Sequence, residues 1–292
     1  MICSLCPRRC NALRTETKNS QGFCKMPLLP TLAKAALHFG EEPCISGKNG
    51  SGTVFFSGCS LSCIYCQNYD LSHKAFGKTV SYERLAEIFR ELERQGAHNI
   101  NLVTPSHYAQ AIKEALSIYK PSIPIVYNCS GYENVETLKM LKGYIDIFLF
   151  DFKYINSDKA KLLSCAPDYP EIAKNALKQA YSQQKTCVFD SNGILQKGVI
   201  VRHLLLPQST NDAIAIFDFV KSSAPNAYFS LMSQYVPMGD AKSVPQINRK
   251  ITKREYEKVV NYILDSGFNN CYIQELNSAT KEYIPDFNLS GV

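Results

Sequence analysis

The run Phe56-Ser57-Gly58-Cys59-Ser60-Leu61-Ser62-Cys63-Ile64-Tyr65-Cys66 decides how this chain reads. Its three cysteines, Cys59, Cys63 and Cys66, have C-x3-C-x2-C spacing and follow the apolar stretch Thr53–Ser57. Three thiolates this close can hold three irons of a [4Fe–4S] cube, and nothing nearby supplies an obvious fourth. The fourth iron is then open to a small molecule. A chance cluster of buried thiols is the bland alternative. Spacing, the aromatic Tyr65 and the position after an apolar strand all weigh against it.

Working outward, three zones appear. Residues 1–52 are irregular, cysteine-rich and dotted with Gly and Pro; Gly47-Lys48-Asn49-Gly50-Ser51-Gly52 reads as a hinge or turn. Residues 53–235 alternate apolar runs with helical spacing. Residues 236–292 add a Pro-interrupted loop, one helix and a short apolar run. Strands are expected at Thr53–Ser57, Ile100–Thr104, Ile125–Cys129, Tyr144–Phe152, Val199–Leu206 and Tyr228–Tyr235, with a further short run at Cys271–Leu276. Helices are expected at Tyr82–Gln95, Tyr108–Tyr119, Val135–Leu141, Tyr169–Gln184, Ala213–Ser222 and Thr252–Ser266. Tyr144–Phe152 is nearly all apolar, as a strand buried on both faces must be. This alternation predicts an α/β fold with a parallel sheet and right-handed crossovers. About six strand–helix units are too few for a closed eight-fold barrel, so a partial (βα)6 TIM-like barrel is the expectation. The expected division is a small cysteine-rich metal-binding segment, 1–52, and the partial barrel with a C-terminal extension, 53–292.

Composition narrows the class. The chain has 292 residues, 45% of them hydrophobic, enough for a substantial core. The formal charge of +6 is mild and spread along the chain, with no basic block, so no nucleic-acid partner is expected. No apolar run approaches the ~18 residues that span a bilayer, and no signal-peptide core is visible. A cytoplasmic location is expected, and there the twelve cysteines argue for metal ligation or buried thiols over disulfides.

The cysteine run resembles the radical S-adenosylmethionine (SAM) superfamily, whose motif is C-x3-C-x-aromatic-C, with Tyr65 in the aromatic slot. The runs Leu37-His38-Phe39-Gly40-Glu41-Glu42-Pro43-Cys44-Ile45-Ser46-Gly47, Gly52-Thr53-Val54-Phe55-Phe56-Ser57-Gly58-Cys59 and Cys66-Gln67-Asn68-Tyr69 resemble a subgroup of that superfamily. Its members are uncharacterised and carry the label of pyruvate formate-lyase activating enzymes by analogy. The resemblance implies a partial barrel with the cluster at its mouth. It implies that the open iron chelates the amino and carboxylate groups of SAM. A one-electron donor, flavodoxin or ferredoxin, then reduces the cluster, and the 5′-deoxyadenosyl radical abstracts hydrogen from a substrate.

Site residues in a parallel βα fold lie at the C-terminal strand ends. The second strand ends in Thr104-Pro105-Ser106-His107. Many superfamily members carry Gly-Gly-Glu here to meet the SAM amino group; in its absence Thr104, Ser106 or backbone carbonyls take that place. The third ends in Asn128-Cys129-Ser130, and Asn128 stands where the pyruvate formate-lyase activating enzyme has an acidic residue at its cation site. The fourth ends in Asp151-Phe152-Lys153, whose Asp and Lys share a face. That pair reads either as a mutual salt bridge at the rim or, by resemblance to the glycyl-radical-enzyme activating group, as the holder of the SAM methionine end. The fifth carries Arg202, a match for the SAM carboxylate or ribose, and His203, either a site residue or a satisfied core histidine. Ser233-Gln234-Tyr235 close the sixth.

Cys3, Cys6, Cys10 and Cys24 form a second set, with Cys44 further on. A structural Zn(Cys)4 site, an auxiliary Fe–S cluster and free thiols are the three options, and thiolate count does not separate Zn from Fe. Cys129, Cys165, Cys187 and Cys271 read as buried small residues. Two enzyme readings stand: activation of a glycyl radical enzyme by hydrogen abstraction from a backbone glycine, and modification of another peptide or a small molecule. A non-catalytic Fe–S electron carrier is the reading from another class.

Overall fold

The computed structural model describes residues 1–276 and 286–292. Residues 1–30 contain no helix or strand. The chain then forms β1 (Thr31–His38), α1 (Pro43–Ser46), β2 (Ser51–Phe56), α2 (Tyr69–Lys74), β3 (Lys78–Thr79) and α3 (Tyr82–Arg94). It continues with β4 (Ile100–Val103), α4 (Ala109–Ile118), β5 (Ile125–Cys129), α5 (Val135–Met140), β6 (Ile147–Asp151), α6 (Ser157–Ser164) and α7 (Tyr169–Gln183). It ends with β7 (Val188–Phe189), β8 (Leu195–Leu204), α8 (Thr210–Ser223), β9 (Tyr228–Met232), α9 (Lys253–Asp265) and β10 (Cys271–Ile273). Among the described residues no helix is long and apolar enough to cross a membrane.

The sheet runs β10-β9-β8-β6-β5-β4-β2-β1-β3, with β7 paired to β8, and it stays open. Its parallel part has seven strands, β2, β4, β5, β6, β8, β9 and β10, one more than the six strand–helix units expected. The helices form for local reasons. Ser81 caps α3 by accepting from the Arg84 N–H, and Leu85, Ile88, Phe89 and Leu92 bury one face. Thr252 and Glu255 close a reciprocal capping box on α9.

Three differences from the sequence reading concern the site. Residues 31–38, placed in the irregular segment, form β1, which pairs antiparallel with β2. TLAKAALH is Ala-rich and lacks a β-branched run, so its strand state is set by pairing to a central strand, not by propensity. Helix α6 was not expected, yet the cysteine loop leans on its end: Ile64 N–H donates to Leu163 O at 3.0 Å. Cys165, expected to be buried, is exposed and closes α6 in the left-handed region.

The two sheet faces bury different layers. Tyr127, Phe148, Phe150, Val199 and Val201 pack against the helices. Val126, Ile147, Leu149 and Ile200 face the other way and, with Cys44 and Ile45 of α1, form a second small core. The β1–α1–β2 connection therefore plugs the inner side of the sheet. By the same alternation Asn128, Asp151 and Arg202 stand on the inner face, beyond that plug.

Glu133 is buried behind β5, where Ser106 Oγ donates to Oε1 at 2.6 Å and Tyr127 OH to Oε2 at 2.9 Å. Burial pushes its pKa up to about 7, with the two hydroxyls pulling the other way. The folded value exceeds the unfolded one, so its stabilisation is full below the ordinary Glu pKa and is lost as pH rises toward 7. Urea unfolding at pH 5, 7 and 8.5 is expected to show wild type losing on the order of 3 kcal/mol relative to Glu133→Gln across this window. Parallel pH profiles for the two proteins contradict this.

Candidate active site

Strand β2 runs straight into the cysteine loop, so its three thiols stand where the parallel strands end. Gly58 has φ 78, and a Cβ there would collide with Met26 and lie 3.1 Å from the Cys24 carbonyl oxygen. Each thiol accepts one hydrogen bond: Leu61 N–H to Cys59 Sγ at 3.3 Å, Ser164 Oγ–H to Cys63 Sγ at 2.9 Å, and Ser72 Oγ–H to Cys66 Sγ at 3.3 Å. Tyr65 extends this set: its hydroxyl lies 2.7 Å from that of Tyr154, which lies 2.6 Å from Ser164 Oγ. Burial pushes all three thiols up, Cys63 to about 11, so they shed protons only for a metal that takes the thiolate.

The thiols open onto a cavity of about 600 Å3. Its other walls include Tyr65, Thr104, Asn128, Ser130, Asp151, Lys153, Arg202, Gln234 and Tyr235. Asp151 joins two cations: Lys153 Nζ donates to Oδ2 at 2.7 Å and Arg202 Nε to Oδ1 at 2.8 Å. Burial opposes its charge, but Arg202 and Lys153 prevail and hold the carboxyl below the usual range. Lys153 stays protonated: burial works against it, while Asp151 and the Cys63 thiol raise its pKa.

Sequence reasoning missed the floor of this cavity. Glu41 and Glu42, between β1 and α1, reach up to Arg202. Glu41 Oε2 accepts from Arg202 Nη1 at 2.7 Å, and Oε1 accepts from Asn101 at 3.0 Å and Asn128 at 2.9 Å. Glu42 accepts from Ser230 Oγ at 3.1 Å. Its Oε2 has no hydrogen bond among the described residues and lies 3.8 Å from Arg202 Nη1, with the side chain only 8% exposed. Burial pushes Glu42 up, against the pull of Arg202. Two adjacent glutamates ahead of Pro43 were the available signal; only the fold says where they point.

The expected residues divide. Cys59, Cys63, Cys66, Tyr65, Thr104, Asn128, Ser130, Asp151, Lys153 and Arg202 meet at one cavity. Thr104 has φ 60, a strained left-handed conformation for a β-branched residue. Arg202, expected to meet the SAM carboxylate or ribose, has all three nitrogens engaged by Asp151, Glu41 and Asn128 Oδ1. The Asp151–Lys153 salt bridge is present. His203 falls on the helix-facing side with Val201, its Nδ1 2.7 Å from Phe152 O, away from the cavity lining. Burial lowers its pKa to about 4, so it is neutral. Ser106 also lies outside, donating to Glu133.

Residues 53–216 match the radical SAM superfamily. The chain belongs to that superfamily. It is 33% identical over 270 residues to the uncharacterised protein MJ0674 of Methanocaldococcus jannaschii, covering 88% of this chain and 73% of that one. Among solved structures it resembles Streptococcus suis SuiB bound to the precursor peptide SuiA, with TM-score 0.50, 16% identity, and coverage of 76% of this chain and 48% of that one. It also resembles the FeFe-hydrogenase maturase HydG of Carboxydothermus hydrogenoformans, with TM-score 0.50, 16% identity, and coverage of 80% and 56%. The chain spans about half the length of these structures, and the likeness is one of fold.

The superfamily implies a [4Fe–4S] cluster and SAM, and the residues present fit both. Three thiols, each with a hydrogen-bond donor, line a cavity within the usual ligand range. No group of three or more His, Cys, Asp or Glu among the described residues is arranged for a single metal ion. A cube places its thiolates on separate irons and so holds them farther apart than one ion does.

Asp151→Asn strips the carboxylate from two buried cations. It is expected to lower the unfolding free energy by about 3 kcal/mol or more in urea titrations. A loss under about 1 kcal/mol would show that Lys153 and Arg202 find other partners.

Proposed function

We propose that this protein reductively cleaves SAM and abstracts hydrogen from a backbone glycine of a partner glycyl radical enzyme. The carrying observation is one cavity that joins three hydrogen-bonded thiols to the Asp151–Lys153–Arg202 set. When bound, the cluster and SAM supply the 5′-deoxyadenosyl radical. The chain's own residues bind and position. Lys153 is the cation facing both thiols and cavity, and it is the group for the methionine carboxylate. Asp151 orients Lys153 and, with Glu41, fixes Arg202, which braces the floor instead of taking the carboxylate itself. Thr104 and Ser130 offer hydroxyls for the amino and ribose groups. The plug under Arg202 keeps water from entering from below. A flavodoxin or ferredoxin is the donor class this chemistry calls for.

A second reading has one observation in its favour. A glycine backbone carries no charge to meet Glu42, whereas a peptide or small molecule with a basic nitrogen does. A pure electron carrier has no use for such a floor beside its cluster.

Anaerobic reconstitution, reduction with dithionite and addition of SAM are expected to yield 5′-deoxyadenosine in wild type and none in Cys63→Ala. With a glycyl radical protein added, a glycyl radical signal in electron paramagnetic resonance is expected. No SAM turnover under any reductant overturns the enzyme reading. Turnover without a glycyl radical on such partners overturns the glycine assignment and leaves the second reading.

A further inference from the structure

We propose that Cys3, Cys6, Cys10 and Cys24 hold a second [4Fe–4S] cluster, seated against the loop that carries the first. Residues 1–30 have no helix or strand, yet Cys3, Cys6, Arg14 and Met26 are buried. A segment this short and polar needs a staple to hold such an arrangement.

The backbone gathers the four cysteines. Cys3 N–H donates to Ala12 O at 3.0 Å and Arg14 N–H to Met1 O at 2.8 Å, folding residues 1–14 back on themselves. The turn at Cys6 closes with Arg9 N–H on Cys6 O at 3.1 Å, Arg9 being left-handed. A second turn closes with Lys25 N–H on Gly22 O at 2.9 Å, Lys25 again left-handed. Gly22 lies against Cys10: a Cβ there would stand 3.0 Å from Cys10 Sγ. Arg14 is buried with Nη1 3.8 Å from Cys3 Sγ, a cation beside the set.

Position favours a cluster over zinc: a structural zinc carries no electrons, whereas a cluster beside the first cysteine loop can relay them to it.

The two sets are neighbours. Cys24 and Cys59 line one cavity of about 410 Å3. Arg8, between Cys6 and Cys10, donates from Nε to Ser60 O at 2.8 Å. Cys10 is exposed, so the second cluster lies toward solvent.

The test counts metal after anaerobic reconstitution, in wild type and in the Cys59→Ala, Cys63→Ala, Cys66→Ala triple variant. Expected are about eight irons per chain in wild type and about four in the variant, each with matching sulfide and no zinc. About four irons in wild type overturns the proposal, as does one zinc per chain. The wild-type count decides even if the variant does not fold. Mössbauer spectra of wild type check the count independently: two distinguishable cubes are expected, and a single one contradicts the proposal.

Discussion

A guanidinium buried at the mouth of an open sheet is tolerable only if carboxylates and other acceptors come to it, and Arg202 draws them from separate parts of the chain. Asp151 arrives from the neighbouring strand, Asn128 from the next, and Glu41 from the loop below. Burial works against the charge on Arg202, yet Asp151, Glu41 and Glu42 together raise its pKa, so it remains a cation. Removing one partner of such a group leaves an uncompensated buried charge, which costs far more than an exposed pair is worth. This ties the ends of β5, β6 and β8 to the plug and gives the cavity a rigid floor.

The cluster loop depends on that floor through Lys153. Its ammonium is held by Asp151 and draws down the pKa of each thiol against the stronger effect of burial. Ser164 and Ser72 complete the arrangement, one from the end of α6 and one from α2. A residue at the end of a helix thus also holds the Cys63 thiol, and the loop is positioned by regular structure on both sides.

The C-x3-C-x2-C run stood out because thiols at that spacing are typical of metal ligation, and the structure brings all three to one cavity. The parallel strands were legible because doubly buried strands are continuous apolar runs. The Asp151–Lys153 pair was visible through strand alternation. The same alternation places His203 on the helix side once Arg202 is known to face inward, but one histidine beside an arginine does not reveal which of the two points in. Glu41 and Glu42 were beyond reach because their role comes from β1 folding back over β2, and β1 has a helix former's composition. The short strands β3 and β7 have only two residues each, too few for any period.

The most direct measurement is electron paramagnetic resonance of the reduced, reconstituted protein as SAM is added. If the three-cysteine cluster offers its open iron to SAM in this cavity, the g values of its signal shift on SAM addition. The shift is absent in the Cys63→Ala variant. A spectrum from the wild-type cluster that saturating SAM leaves unchanged would contradict the account.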